Sequence, residues 1–217
     1  MNLIQVQGYS STATGAAMLP LILLMFLLSR WSGGLIARYG ARTPLIVGPI
    51  IAAGGFAVLA APSFASNYWK TFFPGLVVLG LGMAVTIAPL TTVVMDSADQ
   101  NRMGTASGIN NAVARVAGVL AIAVLGIVMV SAFRAHLNHA LAHLSLPSEV
   151  LRELQSNAIK LAGLQVPTGL DPATTSTIKD SIQEAFTYGF RIVMLICAGL
   201  AVAGALVAGR TIPRGRR

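Results

Sequence analysis

The chain has 217 residues and a formal net charge of +8, yet only 10% of its residues are charged and 55% are hydrophobic, where a soluble domain carries about 25% charged residues. A mean hydropathy of +0.74 excludes an ordinary soluble domain, and basic residues that sit mainly in loops and tail, with no aromatic-interleaved patch, exclude nucleic acid as the partner. A single cysteine, Cys197, excludes an intrachain disulfide.

Met1–Ser11 has neither a basic leader region nor an early apolar core, so no cleavable signal is expected. A helix needs about 20 apolar residues to cross a bilayer. Five stretches qualify: about Ala13–Ala37, Pro44–Ala61, Thr71–Met95, Met103–Ala132 and Ala185–Gly209. The expected fold class is therefore an all-α membrane protein with five transmembrane helices. Between the first two spans lies a cationic, Gly-rich strip, Gly33–Arg42, the pattern of a tight hairpin on the cytoplasmic side. Arg38 and Arg42 of this strip, Arg102 of the turn with Asp96 and Asp99, and Arg210, Arg214, Arg216 and Arg217 of the tail fall on one side of the membrane. The positive-inside rule makes that side cytoplasmic, with the N-terminus outside and the C-terminus inside.

The Pro62–Lys70 connector opposite carries Tyr68 and Trp69, read as interface anchors. From Arg134 to Asp180 the longer Phe133–Glu184 segment balances Arg134, Arg152, Lys160 and Lys179 against Glu149, Glu153, Asp171 and Asp180. Within it, Ser148 is a plausible helix cap, and Val150, Leu151, Leu154, Ile159, Leu161 and Leu164 recur at roughly helical spacing. The expectation is a short amphipathic helix on the outer membrane surface. It is read as a connector covering its own apolar face, with a lid as the functional alternative. Asp171-Pro172 marks a break, after which Thr174–Gln183 leads helically into the last span. His136, His139 and His143 share one helical face; with no Cys, Asp or Glu beside them they read as a polar face rather than a metal site.

Small residues crowd the spans, among them Gly75, Gly80, Gly82, Gly104, Gly108, Gly118, Gly126, Gly199 and Gly204, as close helix packing requires. Pro20, Pro49, Pro74 and Pro89 should bend the spans they occupy. Arg115 is the one charge deep in a span, with Asn110 and Asn111 a turn earlier. Burying it in lipid is costly, so it is read as facing the bundle or a wet cavity in a structural or transport-path gating role; snorkelling to the interface is the alternative. No Asp or Glu lies in the interior of any span, so a proton relay, if there is one, is not in this chain. No nucleophile elbow, HExxH or P-loop is present; no enzyme activity, catalytic residue, metal or cofactor is expected.

Gly33-Gly34-Leu35-Ile36-Ala37-Arg38-Tyr39-Gly40-Ala41-Arg42 resembles the cytoplasmic-loop signature of the major facilitator superfamily, Gly-x-Leu-(Ala)-Asp-Arg-x-Gly-Arg-Arg. Gly33, Leu35, Arg38, Gly40 and Arg42 match, while Ala37 replaces the acidic position and Ala41 a basic one. Such weakened copies are similar to the second copy in the C-terminal half of family members. Gln7-Gly8-Tyr9-Ser10 with Gly15 and Leu19-Pro20, and Gly104–Gly118 with Asn110, Asn111 and Arg115, resemble the 14-span drug:proton antiporter branch. The resemblance implies an incomplete six-helix facilitator half-bundle that lacks its first helix and the N-terminal half, in the same or a separate chain. It further implies a cell (inner) membrane location, an amphipathic small-molecule substrate and protons. Alone, such a chain is expected to be inactive; the alternative is a non-transporting interaction subunit or remnant that docks to a separate half-transporter.

Overall fold

The computed structural model describes residues 8–61, 68–96, 99, 102–144, 146–167 and 169–212. Gln7, the Pro62–Asn67 part of the connector and the tail residues Arg214, Arg216 and Arg217 lie outside the described residues. The described chain is helical throughout: α1 (Ser11–Ala17), α2 (Leu19–Tyr39), α3 (Arg42–Leu59), a π turn (Tyr68–Phe72), α4 (Phe73–Asp96), α5 (Met103–Leu141), α6 (Ser148–Ser156), a 3-10 turn (Ala158–Gly163) and α7 (Pro172–Thr211). Among the described residues five segments are long and apolar enough to cross a membrane, as the sequence predicts.

The first span is divided. Met18 forms a turn between α1 and α2, and Pro20 occupies the first turn of α2. Proline is accepted at that position because its missing N–H has no intrahelical partner there. The span expected over about Ala13–Ala37, with its bend at Pro20, is built from two helices, and α2 runs on to Tyr39.

The membrane core is the seam between α3 and α4. Gly48, Ala52, Gly55 and Leu59 of α3 meet Thr86, Gly82, Leu79 and Gly75 of α4 in one antiparallel register. A Cβ on Gly55 would stand 2.6 Å from the Leu79 backbone nitrogen, and one on Gly82 would collide with the Ala52 backbone. Glycine at both positions lets the two backbones touch, which is how helices gain dispersion energy where lipid supplies no hydrophobic drive. α2 packs on α4, and α7 on α3 and on α5.

Tyr68 departs from its expected role. Its ring is 8% exposed, packed with Phe72, Leu76 and Leu79, and its hydroxyl donates to the Ala17 carbonyl oxygen at 2.8 Å. It is a helix–helix contact rather than an interface anchor. Trp69, 70% exposed, keeps the position an anchor needs.

The helix of the fourth span continues past Ala132. α5 has 39 residues and α7 has 40, about 60 Å each at 1.5 Å per residue and roughly twice the hydrocarbon thickness. Their overhanging ends form a second core: Phe133, Leu137 and Leu141 of α5 lie against Ile178, Ile182, Ala185 and Phe186 of α7. Spacings of about four place each set on one helical face. α6 closes this module by inserting Leu154, fully buried, with Ala158 and Leu164 behind it. The expected membrane-surface helix is therefore corrected: its apolar side is taken up by protein, and only Ile159 of the predicted set is exposed. Ser148 is the first helical residue, follows Pro147 and makes no capping bond. Asp171 does cap: its carboxylate accepts from the Thr174 N–H at 2.9 Å. Hydrogen bonds from Thr174, side chain first and backbone second, hold the Asp171 carboxyl below the ordinary carboxylate range.

Two outcomes follow from this packing. Gly82→Ala should lower stability by about 1–3 kcal/mol through overpacking, whereas Gly126→Ala on α5, where an added Cβ meets nothing within 4 Å, should be neutral or stabilising by up to about 1 kcal/mol; thermal unfolding in detergent reads both, and equal effects would contradict the seam. Because the native carboxyl of Asp171 is depressed, its capping is complete above the ordinary carboxylate range and is lost as pH falls through the depressed native value. The hydrogen-exchange protection factor of the Thr174 amide should drop in acid, and Asp171→Asn, a neutral cap, should flatten that dependence.

Candidate functional site

The Gly33–Arg42 strip is mostly helix. Gly33 through Tyr39 form the last two turns of α2, and only Gly40 and Ala41 leave the helix before α3 begins at Arg42. Gly40 has φ 71° and ψ 167°, a region essentially reserved for glycine. An added Cβ on Gly33, Gly34 or Gly40 would meet nothing within 4 Å, so within this strip only the backbone angle of Gly40 demands glycine. Leu35 is half-buried.

The two matching arginines separate in role. Arg38 is exposed, with its guanidinium carbon 5.4 Å from the centre of the Tyr39 ring. Arg42 turns inward: Nη2 donates to the Gly209 carbonyl oxygen in the last turn of α7, and Nε is shielded with no hydrogen-bond partner among the described residues. The final carbonyls of a helix have no intrahelical donor and carry the negative end of its dipole. An arginine there satisfies an acceptor and places a cation where the field favours one.

The opposite end of the same helix pair repeats the device with the helices exchanged. Arg191 of α7 donates from Nε to the Ala60 carbonyl oxygen at the C-terminus of α3, at 3.0 Å. Eighteen positions separate Arg42 from Ala60, and eighteen separate Arg191 from Gly209. At 1.5 Å per residue that is roughly 27 Å, close to the hydrocarbon thickness of about 30 Å. Near the start of the last span, Arg191 is expected at the outer interface; the structure adds its acceptor, the Ala60 carbonyl. The signal that identifies it is the equal spacing, visible in the sequence only once α3 and α7 are known to pair.

Asn110, Asn111 and Arg115 are placed differently from the twinned arginines. Asn110 is half-buried, and Asn111 and Arg115 are exposed, one turn apart on α5. Every residue from 111 to 124 is exposed, because α5 meets α7 mainly through its C-terminal part. No helix among the described residues covers this polar stripe. At the far end of α5, the His136 ring stacks on Tyr188 at 4.7 Å and His139 meets His143 edge-on at 5.3 Å. Among the described residues no group of three or more His, Cys, Asp or Glu stands close enough to hold a metal ion.

Replacing Arg42 by Met should lower the stability of the purified chain by about 2 kcal/mol, the range for a charged hydrogen bond. Arg191→Met should cost less, since its side chain is more exposed. The lysine variants, which keep the cation, should fall between, and Met variants that unfold at the parent temperature would contradict the ties.

A family model for the Major Facilitator Superfamily matches residues 1–122. The chain is 29% identical over 214 residues to the Multidrug resistance protein Stp of Mycobacterium tuberculosis, covering 96% of this chain and 39% of that protein. It is 30% identical over 212 residues to the Tetracenomycin C resistance and export protein of Streptomyces glaucescens, covering 94% and 38%. To the Multidrug transporter protein MdtP of Bacillus subtilis it is 27% identical over 125 residues, covering 57% and 23%. The chain thus spans less than two fifths of the curated relatives it matches. With its five apolar helices, the Gly40 turn and the tethered Arg42, this multi-pass membrane chain belongs to the major facilitator superfamily.

Proposed function

We propose that the chain is the C-terminal membrane portion of a multidrug-efflux transporter and moves no substrate without the N-terminal half. The observation that carries this reading is the uncovered polar stripe of α5. Asn111 and Arg115 sit on a span whose neighbourhood is open. In lipid an arginine at such depth costs a few kcal/mol at least, so the stripe requires another protein surface or a wet cavity. A second half-bundle packed against α5 supplies both and makes Asn110, Asn111 and Arg115 part of the transport path or its gate.

The relatives' names, a multidrug resistance protein and a tetracenomycin C resistance and export protein, support amphipathic small molecules as substrates. Arg38, Arg42, Arg102 and Arg210 gather at one end of the bundle, which supports that end as cytoplasmic in a bacterial inner membrane. In this reading Arg42 holds α3 and α7 together as one body at the cytoplasmic face. Arg38, exposed beside it, is the motif cation left to engage the other half during alternating access. A proton-driven cycle would draw its carboxylate relay from that half.

The test is export of an amphipathic fluorescent dye. Energised cells that produce residues 1–217 alone should retain the dye like cells lacking the chain, and active extrusion by those cells would refute the reading.

A further inference from the structure

The break in the first span has a partner across the bundle. α1 ends at Ala17, Met18 turns (φ −87°, ψ −11°), and Pro20 follows in the first turn of α2. Proline has no N–H to tie the second helix back to the first, so the joint lacks part of the ladder that stiffens a continuous helix. α1 buries none of its residues. A segment with so little buried surface belongs to the low-stability end of a structure.

Among the described residues one side-chain hydrogen bond ties it across the bundle, beside the packing of Ala17 on the cluster around Tyr68. The Tyr68 hydroxyl donates to the Ala17 carbonyl oxygen at 2.8 Å, where α1 stops. Tyr68 is itself fixed: it is buried, packs edge-on against Trp69 at 5.4 Å and Phe73 at 6.3 Å, and stands in the π turn that opens α4. Such turns are rare and concentrate at functional positions. The Tyr9 ring, just before α1, lies 6.4 Å from that of Tyr68. The carbonyl at the joint, the tyrosine that meets it and the π turn that aims the tyrosine form one device.

We propose that α1 is a hinged gate that swings about Met18–Pro20, and that the Tyr68 hydroxyl on the Ala17 carbonyl is the catch that keeps it closed. That the device serves as a gate rests on the transporter reading above; the hinge and its catch do not. Loss of one neutral hydrogen bond shifts such an equilibrium roughly five-fold. With the catch released, α1 parts from the start of α4 and opens the end of the bundle away from the Gly40 turn.

The experiment places spin labels at two exposed positions, Ser11 on α1 and Lys70 in the π turn, through Ser11→Cys and Lys70→Cys in the full chain carrying Cys197→Ser. Double electron–electron resonance in lipid nanodiscs reads the distance. With Tyr68 intact one narrow distribution is expected. Tyr68→Phe, which removes only the hydroxyl, should add a longer-distance population several-fold larger than in the parent. Adding Pro20→Ala to Tyr68→Phe should shrink that population, because a continuous helix couples α1 to α2. An unchanged distribution in Tyr68→Phe, or equal opening with and without Pro20→Ala, would overturn the proposal. Hydrogen exchange on the unsubstituted chain supplies an arm free of folding defects: amides of α1 should exchange ahead of those in the middle of α2, and equal protection would also overturn it. Neither readout uses export, so a failed dye experiment and a failed hinge remain distinguishable.

Discussion

Two arginines facing in opposite directions set the geometry on which the rest of this membrane bundle depends. Arg42 reaches from the start of α3 to the last turn of α7, and Arg191 reaches from α7 to the end of α3. Each supplies a donor to a helix C-terminus that would otherwise present bare carbonyls. Each also sits near a membrane face, where its charge stays close to water while its stem lies along apolar surface. Because the two spacings are equal, the ties constrain both tilt and register of the α3–α7 pair. α3 is in turn locked to α4 by the glycine seam, in which Gly55 and Gly82 bring backbones into contact. Three helices are thereby joined by helix-end hydrogen bonds and backbone packing.

What this joined unit leaves uncovered is as informative. α5 stands off over residues 111–124 and presents Asn111 and Arg115 without a neighbouring helix among those described. α2 likewise exposes Phe26, Leu27 and Trp31. Apolar surface of this kind is at home in lipid; an arginine is not. A closed α3–α4–α7 unit thus contrasts with a bare, polar-striped α5. The module built from the overhanging ends of α5 and α7 stiffens that pair beyond the membrane, because Leu154 of α6 closes a core that neither helix completes alone.

The spans were legible in the sequence because the bilayer imposes a length, and runs such as Pro44–Ala61 meet it in composition alone. The family was legible because Arg38, Gly40 and Arg42 keep their spacing around a turn that only glycine allows. Partners were not legible. Tyr68 beside Trp69 has the pattern of an interface belt, and tertiary packing, which no local pattern encodes, turned it inward onto Ala17. The helical spacing of Leu151 and Leu154 announced an apolar face but not whether lipid or protein would cover it. Pro20 signals a bend, and the break falls just before it, at Met18. Arg191 looked like an unremarkable interface charge because its acceptor lies 131 positions away.

The central claim is that α3 and α7 are tied end to end by Arg42 and Arg191. The most direct measurement is solid-state NMR dipolar recoupling in lipid bilayers, between 15N-labelled arginine guanidinium groups and 13C-labelled carbonyls at Gly209 and at Ala60. Dephasing at hydrogen-bond range is predicted at both carbonyls, and at neither when the corresponding arginine is replaced. Absence of dephasing at both carbonyls in the unsubstituted chain would contradict the account.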